Sequence, residues 1–580
     1  MRITKVKLHN FRCILDGEFD LHDYTMLVGA NNAGKSTIIS ALRVFYDHLK
    51  WSSDDLPKMP GGYNDSWIEV TFTLTDEEEK EIAEKYRRPD RLLVIRKLLK
   101  SAERDVKSTQ SNLYAVIDNK LEDGLFYGAK NVSSAKVGEI IYVPALSLPD
   151  DHLKTSGQSA LRDILNLVLK RVAAKSSKYE AVLTALKELN QEANQDGGFL
   201  SQLSKPLNKA LEDWGVKLDL NIRQMSPEDV TKSLVQPSFK DSQIGDAQVN
   251  LDRIGHGFQR TLIYELLRCV PQFDEPEKET KKKEYNPDFT LLLFEEPEAF
   301  LHPHQQETML FNLRKLAAAD GQQVLVTTHS PIFAGRAADD LKCLVRVKKH
   351  NGASNIHQIG EDKLTALLGD GLGLAKCLQE FVADTAILEN QKAKAKAMIA
   401  ALPTEEIAIQ DERFRFQLWL DAERASMFFA DHVIIVEGTS EKVLFDYLLQ
   451  NQWDDLRQHR IYVVDALGKF NIHRFMALLE AFGIRHGVLI DGDTGKAHQE
   501  AVNEFLDGRV NGFTVGKPHK FPTDLEKFLG LATPRDDRKP LEILKAVTQA
   551  RITMEKLAEF RGIVETTLLG FAPKAAGTTT

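Results

Sequence analysis

The segment Gly29-Ala-Asn-Asn-Ala-Gly-Lys-Ser36 matches the pattern G-x-x-x-x-G-K-[ST] at every fixed position, between an apolar run, Tyr24 to Gly29, and an amphipathic one, Thr37 to Tyr46. A strand feeding a glycine-rich turn that opens a helix is the setting in which such a loop holds phosphate. The glycines let backbone N–H groups curl around the phosphates, Lys35 reaches the β and γ oxygens, and the Ser36 hydroxyl can ligate Mg²⁺. Gly29, Asn31, Asn32, Ala33, Gly34, Lys35, Ser36 and Thr37 are the expected nucleotide contacts. Residues 1 to 46 read as strand, strand, turn and helix, so the chain opens as an α/β nucleotide-binding unit.

Two downstream strands complete that chemistry. Leu291-Leu-Leu-Phe-Glu-Glu296 is a buried-strand run ending in two carboxylates and followed by Pro297, Glu298 and Leu301-His302-Pro303. One carboxylate at a strand end can hold the metal while its neighbour orients the attacking water, which assigns Glu295 to Mg²⁺ and Glu296 to hydrolysis. Val324-Leu-Val-Thr-Thr-His-Ser-Pro331 is a second apolar strand, ending in His329, a residue placed to sense the γ-phosphate. Between the phosphate loop and these strands, Ile254-Gly-His-Gly-Phe-Gln-Arg260 offers Gly255, Gly257 and Gln259 as a glycine-rich signature that binds nucleotide across a dimer through a helix N-terminus.

The chain of 580 residues exceeds what one core supports, since single cores stop growing near roughly 250 to 300 residues. Apolar and charged fractions of 43% and 27% are those of a globular protein. A net charge of -9 rules out collecting nucleic acid through the average field, so any such contact is local. Cys13, Cys269, Cys343 and Cys377 form no C-x-x-C pair, and no stretch nears the roughly 18 apolar residues that span a bilayer. The expectation is a cytoplasmic protein with no membrane contact. The expected organisation is an ATPase domain over 1–345 with a helical insertion at about 150–245 that is a candidate dimerisation subdomain, a helical connector over 346–428, a second α/β domain over 429–535 and a helical segment over 536–580. The charged run Glu275 to Glu284 reads as a solvated loop.

Three apolar strands, Val433–Val436, Ile461–Val464 and Gly487–Ile490, separated by helical pattern, predict a small parallel sheet whose carboxyl edge binds ligand. In Val433-Ile-Ile-Val-Glu-Gly-Thr-Ser-Glu441, Glu437 ends a strand and Glu441 lies one helical turn on. In Gly487-Val-Leu-Ile-Asp-Gly-Asp493, the i, i+2 spacing on an extended segment points Asp491 and Asp493 the same way. Four hard oxygen donors at converging strand ends suit Mg²⁺ or Mn²⁺. Asp524 and Glu526, in Phe521-Pro-Thr-Asp-Leu-Glu-Lys-Phe528, form a second acidic group. Two clusters suggest two ions about 3.5 to 4 Å apart, able to activate water and stabilise the leaving oxygen of a phosphodiester. Asp465, near Gly468 and Lys469, belongs to a phosphate-contacting loop or to a turn.

The N-terminal motifs, in this order over residues 1 to about 345, resemble the ABC ATPases of the structural-maintenance and RecF type. That resemblance implies dimerisation through nucleotide. Glu295 stands where many relatives carry Asp, His256 interrupts the signature, and no Q-loop glutamine can be placed, so hydrolysis is expected to be slow or ATP to act as a clamp. Glu-Gly-x-x-Glu followed by Asp-x-Asp resembles a Toprim domain over about 430 to 535, and an ATPase followed by Toprim resembles the OLD-family nucleases (overcoming lysogenization defect). By that resemblance Glu437, Glu441, Asp491, Asp493 and Glu526 are metal ligands and Glu437 a candidate general base. Lys574, in Ala572-Pro-Lys-Ala575, is set against the family's late catalytic lysine, with an exposed tail lysine as the alternative.

The resemblance implies a DNA-cleaving homodimer or larger oligomer in phage defence, using ATP, one Mg²⁺ at the ATPase site and two Mg²⁺ or Mn²⁺ ions at Toprim. It also implies action alone, beside a helicase, or beside a reverse transcriptase with retron DNA. The rival reading is a RecF-like repair clamp whose Toprim only binds. Topoisomerase, primase and structural-maintenance readings fail for want of a tyrosine-bearing domain, a template channel and long heptads respectively.

Overall fold

A computed structural model describes residues 1–107, 109–128, 137–145, 176–212, 215–222, 289–335, 341–400, 405–532 and 538–570, with a few positions between them. Its first strands are β1 Arg2–Phe11, β2 Ile14–Asp20, β3 Tyr24–Val28, β4 Ser66–Thr73, β5 Leu92–Lys100, β6 Leu113–Ile117, β7 Lys120–Leu121 and β8 Glu139–Val143. After the short ribbon β9 Phe239–Asp241 and β10 Ala247–Val249 come β11 Thr290–Glu295, β12 Gln322–Thr327, β13 Leu344–His350 and β14 Ala353–Gln358. The last four are β15 His432–Val436, β16 Ile461–Asp465, β17 Arg485–Asp491 and β18 His519–Phe521. No helix among the described residues is long and apolar enough to cross a membrane.

An antiparallel sheet, β2-β1-β4-β5-β6-β7, lies against a second sheet ordered β14-β13-β3-β12-β11-β8, parallel except for β14. The strands β3, β11 and β12 are nearly uniform apolar runs because both their faces are covered. Successive residues divide between two cores. Met26, Val28, Leu292, Phe294, Val324 and Val326 face one side, and Leu27, Leu291, Leu293 and Leu325 face the other, where the antiparallel sheet and the helix Lys35–Phe45 pack.

The side of Met26 and Val28 continues without a break into the third sheet, ordered β16-β15-β17-β18 and parallel throughout. Val433, Ile435, Val488 and Ile490 share this core with Leu364, Leu367, Leu368, Leu374, Leu378 and Phe381 of the helix Glu361–Ala383. The expected connector thus contributes to a core common to both α/β units. On the far side, Ile434, Val436 and Leu489 meet Ile543, Val547, Phe560, Val564 and Leu568, so the C-terminal helices Lys539–Thr548 and Met554–Leu569 form the second layer of the third sheet.

Three elements depart from the reading of the sequence. The first strand breaks at Arg12, whose φ of 51° makes a turn without glycine or proline, so three strands precede the phosphate loop. The ATPase sheet continues through β14 to Gln358, past residue 345, because the polar residues of that hairpin conceal its pairing with β3. A fourth parallel strand, β18, is only three residues long and carries too little apolar pattern to be seen alone.

Besides this shared core, one buried side chain bonds the second sheet to the third. Arg346 on β13 pairs with Val28, the residue entering the phosphate loop, and is 2% exposed. Its Nε donates to Phe428 O at 3.0 Å, Nη1 to Phe482 O at 3.1 Å and Gly483 O at 3.2 Å, and Nη2 to Ala430 O at 2.8 Å. These carbonyls lie just before β15 and β17. Burial lowers the guanidinium to about 10, which leaves it cationic at neutral pH. Removing it leaves several buried carbonyls without donors, each costing about 1–3 kcal/mol. Arg346→Met is expected to lower the apparent melting temperature by roughly 5 °C or more, and Arg346→Lys, which cannot reproduce the fork, to recover less than half; calorimetry of the full chain measures both.

Candidate functional site

The carboxyl ends of three neighbouring strands, β3, β12 and β11, bring the N-terminal motifs together. Gly29, at φ 144°, turns the chain out of β3 where a Cβ would stand 2.2 Å from Val347 O, so only glycine lets the loop lie against β13. The Lys35 ammonium is held by Gly29 O at 2.8 Å and Ala30 O at 3.1 Å. Asn31, Asn32 and Ser36 are exposed on the loop, while Ala33 and Thr37 are buried. Burial lowers Lys35 to about 8, against the opposing field of Glu296, Glu298 and Glu295.

Glu295 ends β11 and accepts a hydrogen bond from the Tyr142 hydroxyl at 2.6 Å, with Arg43 stacked 3.8 Å over the Tyr142 ring. Glu296 follows at φ 44°, strained for a residue with a side chain, and stands 3.4 Å from His329 Nε2. Burial, then the charge of Lys35, lowers His329, which keeps the ring neutral near pH 7. Glu298 is buried and its Oε1 accepts from Thr328 Oγ1 and His329 N, both at 2.7 Å, and Ser330 N at 3.2 Å, clamping the His329 turn onto the end of β11. Tyr142 and the clamping role of Glu298 had no sequence signal, because each acts through a contact between strands far apart in the chain.

The second site lies at the carboxyl edge of β15 and β17. Glu441, in the first turn of the helix Thr439–Asn451, accepts from Gly438 N at 3.1 Å, and Glu437 Oε2 accepts from Asp491 N at 3.3 Å. Asp491 Oδ1 accepts from Leu525 N at 3.0 Å, which draws in the short helix Leu525–Phe528 and its buried Glu526. Asp524 instead caps that helix through Lys527 N at 2.8 Å. The strand ends at Asp491, and Asp493 sits at φ 51° in the next turn, so the pair does not share one extended segment. Gly492 between them approaches Phe521 O so closely that a Cβ would stand 2.4 Å away. Asp465 accepts from Leu467 N at 2.8 Å and Thr439 Oγ1 at 2.9 Å, bonds that brace the turn after β16.

Burial, then repulsion from Asp491, pushes Glu441 up to about 8; burial, then Glu437 and Glu526, pushes Asp491 up to about 7. Burial also raises Glu437, opposed by Lys469. Asp493 goes the other way: burial works to raise it, but hydrogen bonds from Lys469 and Lys496 outweigh that and hold it low. Lys539, heading the helix Lys539–Thr548, adds its field at Glu437; it was not among the expected residues, and Lys574 lies outside the described residues. Gly255, Gly257 and Gln259 also lie outside them. Among the described residues no three His, Cys, Asp or Glu side chains close on one point in a ligating arrangement. The donors are nevertheless all hard carboxylate oxygens whose mutual repulsion a divalent cation would relieve, so their chemistry fits such an ion.

The AAA ATPase domain family model matches residues 1–136 and 147–334, and the model for the Overcoming lysogenization defect protein-like TOPRIM domain matches residues 428–493. The chain belongs to the OLD family, an AAA ATPase joined to a Toprim domain. It is similar to the Old nuclease of Escherichia phage P2, at 23% identity over 85% of this chain and 77% of the relative. It is also similar to the OLD nuclease of Thermus scotoductus, at 22% identity over 87% and 84%, and to Endonuclease GajA of Bacillus cereus strain VD045, at 21% over 87% and 78%. The two OLD-family domains imply nucleotide and divalent-metal use.

Two outcomes follow for the ATPase site of this OLD-family chain. Free Lys35 loses its proton as pH rises through about 8, and ATP favours the protonated form. Nucleotide affinity, measured calorimetrically between about pH 7 and about pH 9, therefore falls toward tenfold per pH unit above that point, an inflection that Lys35→Arg lacks. Tyr142→Phe frees Glu295 without touching the phosphate loop; ATP turnover drops by roughly tenfold or more while nucleotide affinity stays within about threefold.

Proposed function

We propose that this protein is an ATP-binding, divalent-metal-dependent DNA endonuclease of phage defence, whose ATPase head controls a Toprim cleavage site. One observation carries the reading: Glu437, Glu441, Asp491 and Glu526, from three separate segments, lie together at the carboxyl edge of adjacent parallel strands, where burial and then the neighbouring carboxylates raise the proton affinity of Glu441 and Asp491. Buried acids that repel one another are poised to take up cations. In this reading those four, with Asp493, hold two Mg²⁺ or Mn²⁺ ions; the ions polarise a phosphodiester and lower the proton affinity of water.

The chain's own groups do the rest. Glu437, held by Asp491 N at 3.3 Å, is oriented as a general base, and Lys539 supplies positive charge beside it for the phosphate oxygens, a place the sequence had offered to Lys574. In the head, Lys35 and the loop amides bind the ATP phosphates, Ser36 and Glu295 hold one Mg²⁺, and Glu296 with His329 orients water. Gly255, Gly257 and Gln259 complete the nucleotide site from a second copy.

The dimer reading is supported by the paired helices Ser177–Asn194 and Phe199–Leu211. Phe199, Leu203 and Leu207, one face at i, i+4 spacing, are 58%, 53% and 42% exposed. Such a stripe is characteristic of a surface that a partner covers. Defence beside a helicase, or beside a reverse transcriptase with retron DNA, is compatible with this arrangement.

The test is cleavage of supercoiled plasmid by the full chain with Mg²⁺ or Mn²⁺, with and without ATP. Glu437→Ala and Asp491→Ala are each expected to reduce cleavage by roughly a hundredfold or more, with ATP binding retained. Lys35→Ala is expected to abolish the response to ATP alone. No cleavage by the wild type under any of these conditions, with nucleotide binding intact, would favour a repair clamp with a non-catalytic Toprim.

A further inference from the structure

The five acids of the Toprim site divide into two electrical environments, and Lys469 makes the division. Its side chain is 1% exposed, on the short turn of helix Lys469–Asn471 that follows β16. The ammonium donates to Asp493 Oδ2 at 2.6 Å and to Asp491 O at 2.7 Å, and stands 3.8 Å from Glu437 Oε2. The loop that delivers it is fastened at both ends. Gly468 N donates to Glu437 O at 2.7 Å, and Asp465 accepts from Leu467 N and Thr439 Oγ1. A lysine is almost never so fully buried unless paired, and here its partners are groups assigned above to metal.

Lys496 takes the other Asp493 oxygen, Oδ1, at 2.7 Å, but from a side chain 61% exposed to solvent. Both oxygens of Asp493 are therefore committed to ammonium groups. Among the described residues, the hydrogen bonds that Glu441 and Asp491 accept come from backbone N–H groups, Gly438 N and Leu525 N.

Resting on the two-ion reading, we propose that Lys469 is a positioning residue that occupies the second-ion position as a built-in cation. The first ion binds among Glu437, Glu441, Asp491 and Glu526; the second binds only by displacing Lys469 from Asp493. The two ions then differ in affinity by design of the chain: at one position Lys469 reaches only the Glu437 carboxylate, at 3.8 Å, and at the other both Asp493 oxygens are already hydrogen-bonded to ammonium groups. A buried charge at hydrogen-bond distance competes directly with an incoming ion for the same oxygen.

Mn²⁺ binding to the full chain without nucleotide, followed by the loss of the free-ion paramagnetic resonance signal and by calorimetry, tests this without reference to cleavage. The wild type should show a tight class and a weaker one separated by at least about tenfold. Lys469→Met should strengthen the weaker class by about tenfold or more, and Lys496→Met, removing the exposed partner, by less than about threefold. Asp493→Asn should abolish the weaker class and keep the tight one, which also serves if Lys469→Met does not fold. A weaker class that is unchanged or weakened in Lys469→Met, or an Asp493→Asn that loses the tight class, overturns the proposal and leaves Lys469 a structural ion pair. Absence of any Mn²⁺ uptake by the wild type sinks the metal reading itself, a result distinct from either.

Discussion

The two α/β units of this protein meet through a buried cation whose donors all end on backbone. Arg346 leaves the ATPase sheet beside Val28 and fixes the chain just before β15 and β17, the strands that end at Glu437 and Asp491. A guanidinium saturated by carbonyls fixes direction as well as distance, because its planar fork accepts partners only along set lines. The apolar core around it is continuous from Met26 to Ile490 and includes buried residues of the helix Glu361–Ala383. The phosphate loop and the acidic edge thus belong to one packed body.

Both sites use the same device with opposite charge. Parallel strands end together, so residues distant in sequence arrive at one edge. At the ATPase edge burial lowers the proton affinity of the Lys35 ammonium, against the opposing field of Glu296, Glu298 and Glu295. At the Toprim edge the acids outnumber their nearby cations, and Glu441 and Asp491 retain protons well above the ordinary carboxylate range. The first arrangement suits an anionic ligand and the second a cationic one.

Much of the site was legible along the chain. The phosphate loop, the acids ending β11 and β15, and the pair around Gly492 each carry a local pattern: an apolar run that stops at a charge where a parallel strand must stop. The residues that support them carry none. Tyr142 reaches Glu295 across neighbouring strands, Glu298 turns back onto the His329 loop, and Lys469 enters the acid cluster from a turn that alone reads as a polar connection. Short β18, which carries Asp524 and Glu526 to the edge, was equally invisible.

The sequence by itself determined the chemistry available: an α/β chain with a phosphate loop at its head and a set of strand-end carboxylates near its tail, because strand period, glycine spacing and charge at a strand end are local properties. Tertiary structure decided which of those groups act together. It turned Asp524 into a helix cap, drew Glu526 inward, moved Asp493 off the strand and onto two lysines, and joined the units through Arg346. Hydrogen-bond partners and desolvation are fixed by which backbone passes within about 3 Å, and no local pattern records what the far end of the chain will bring there.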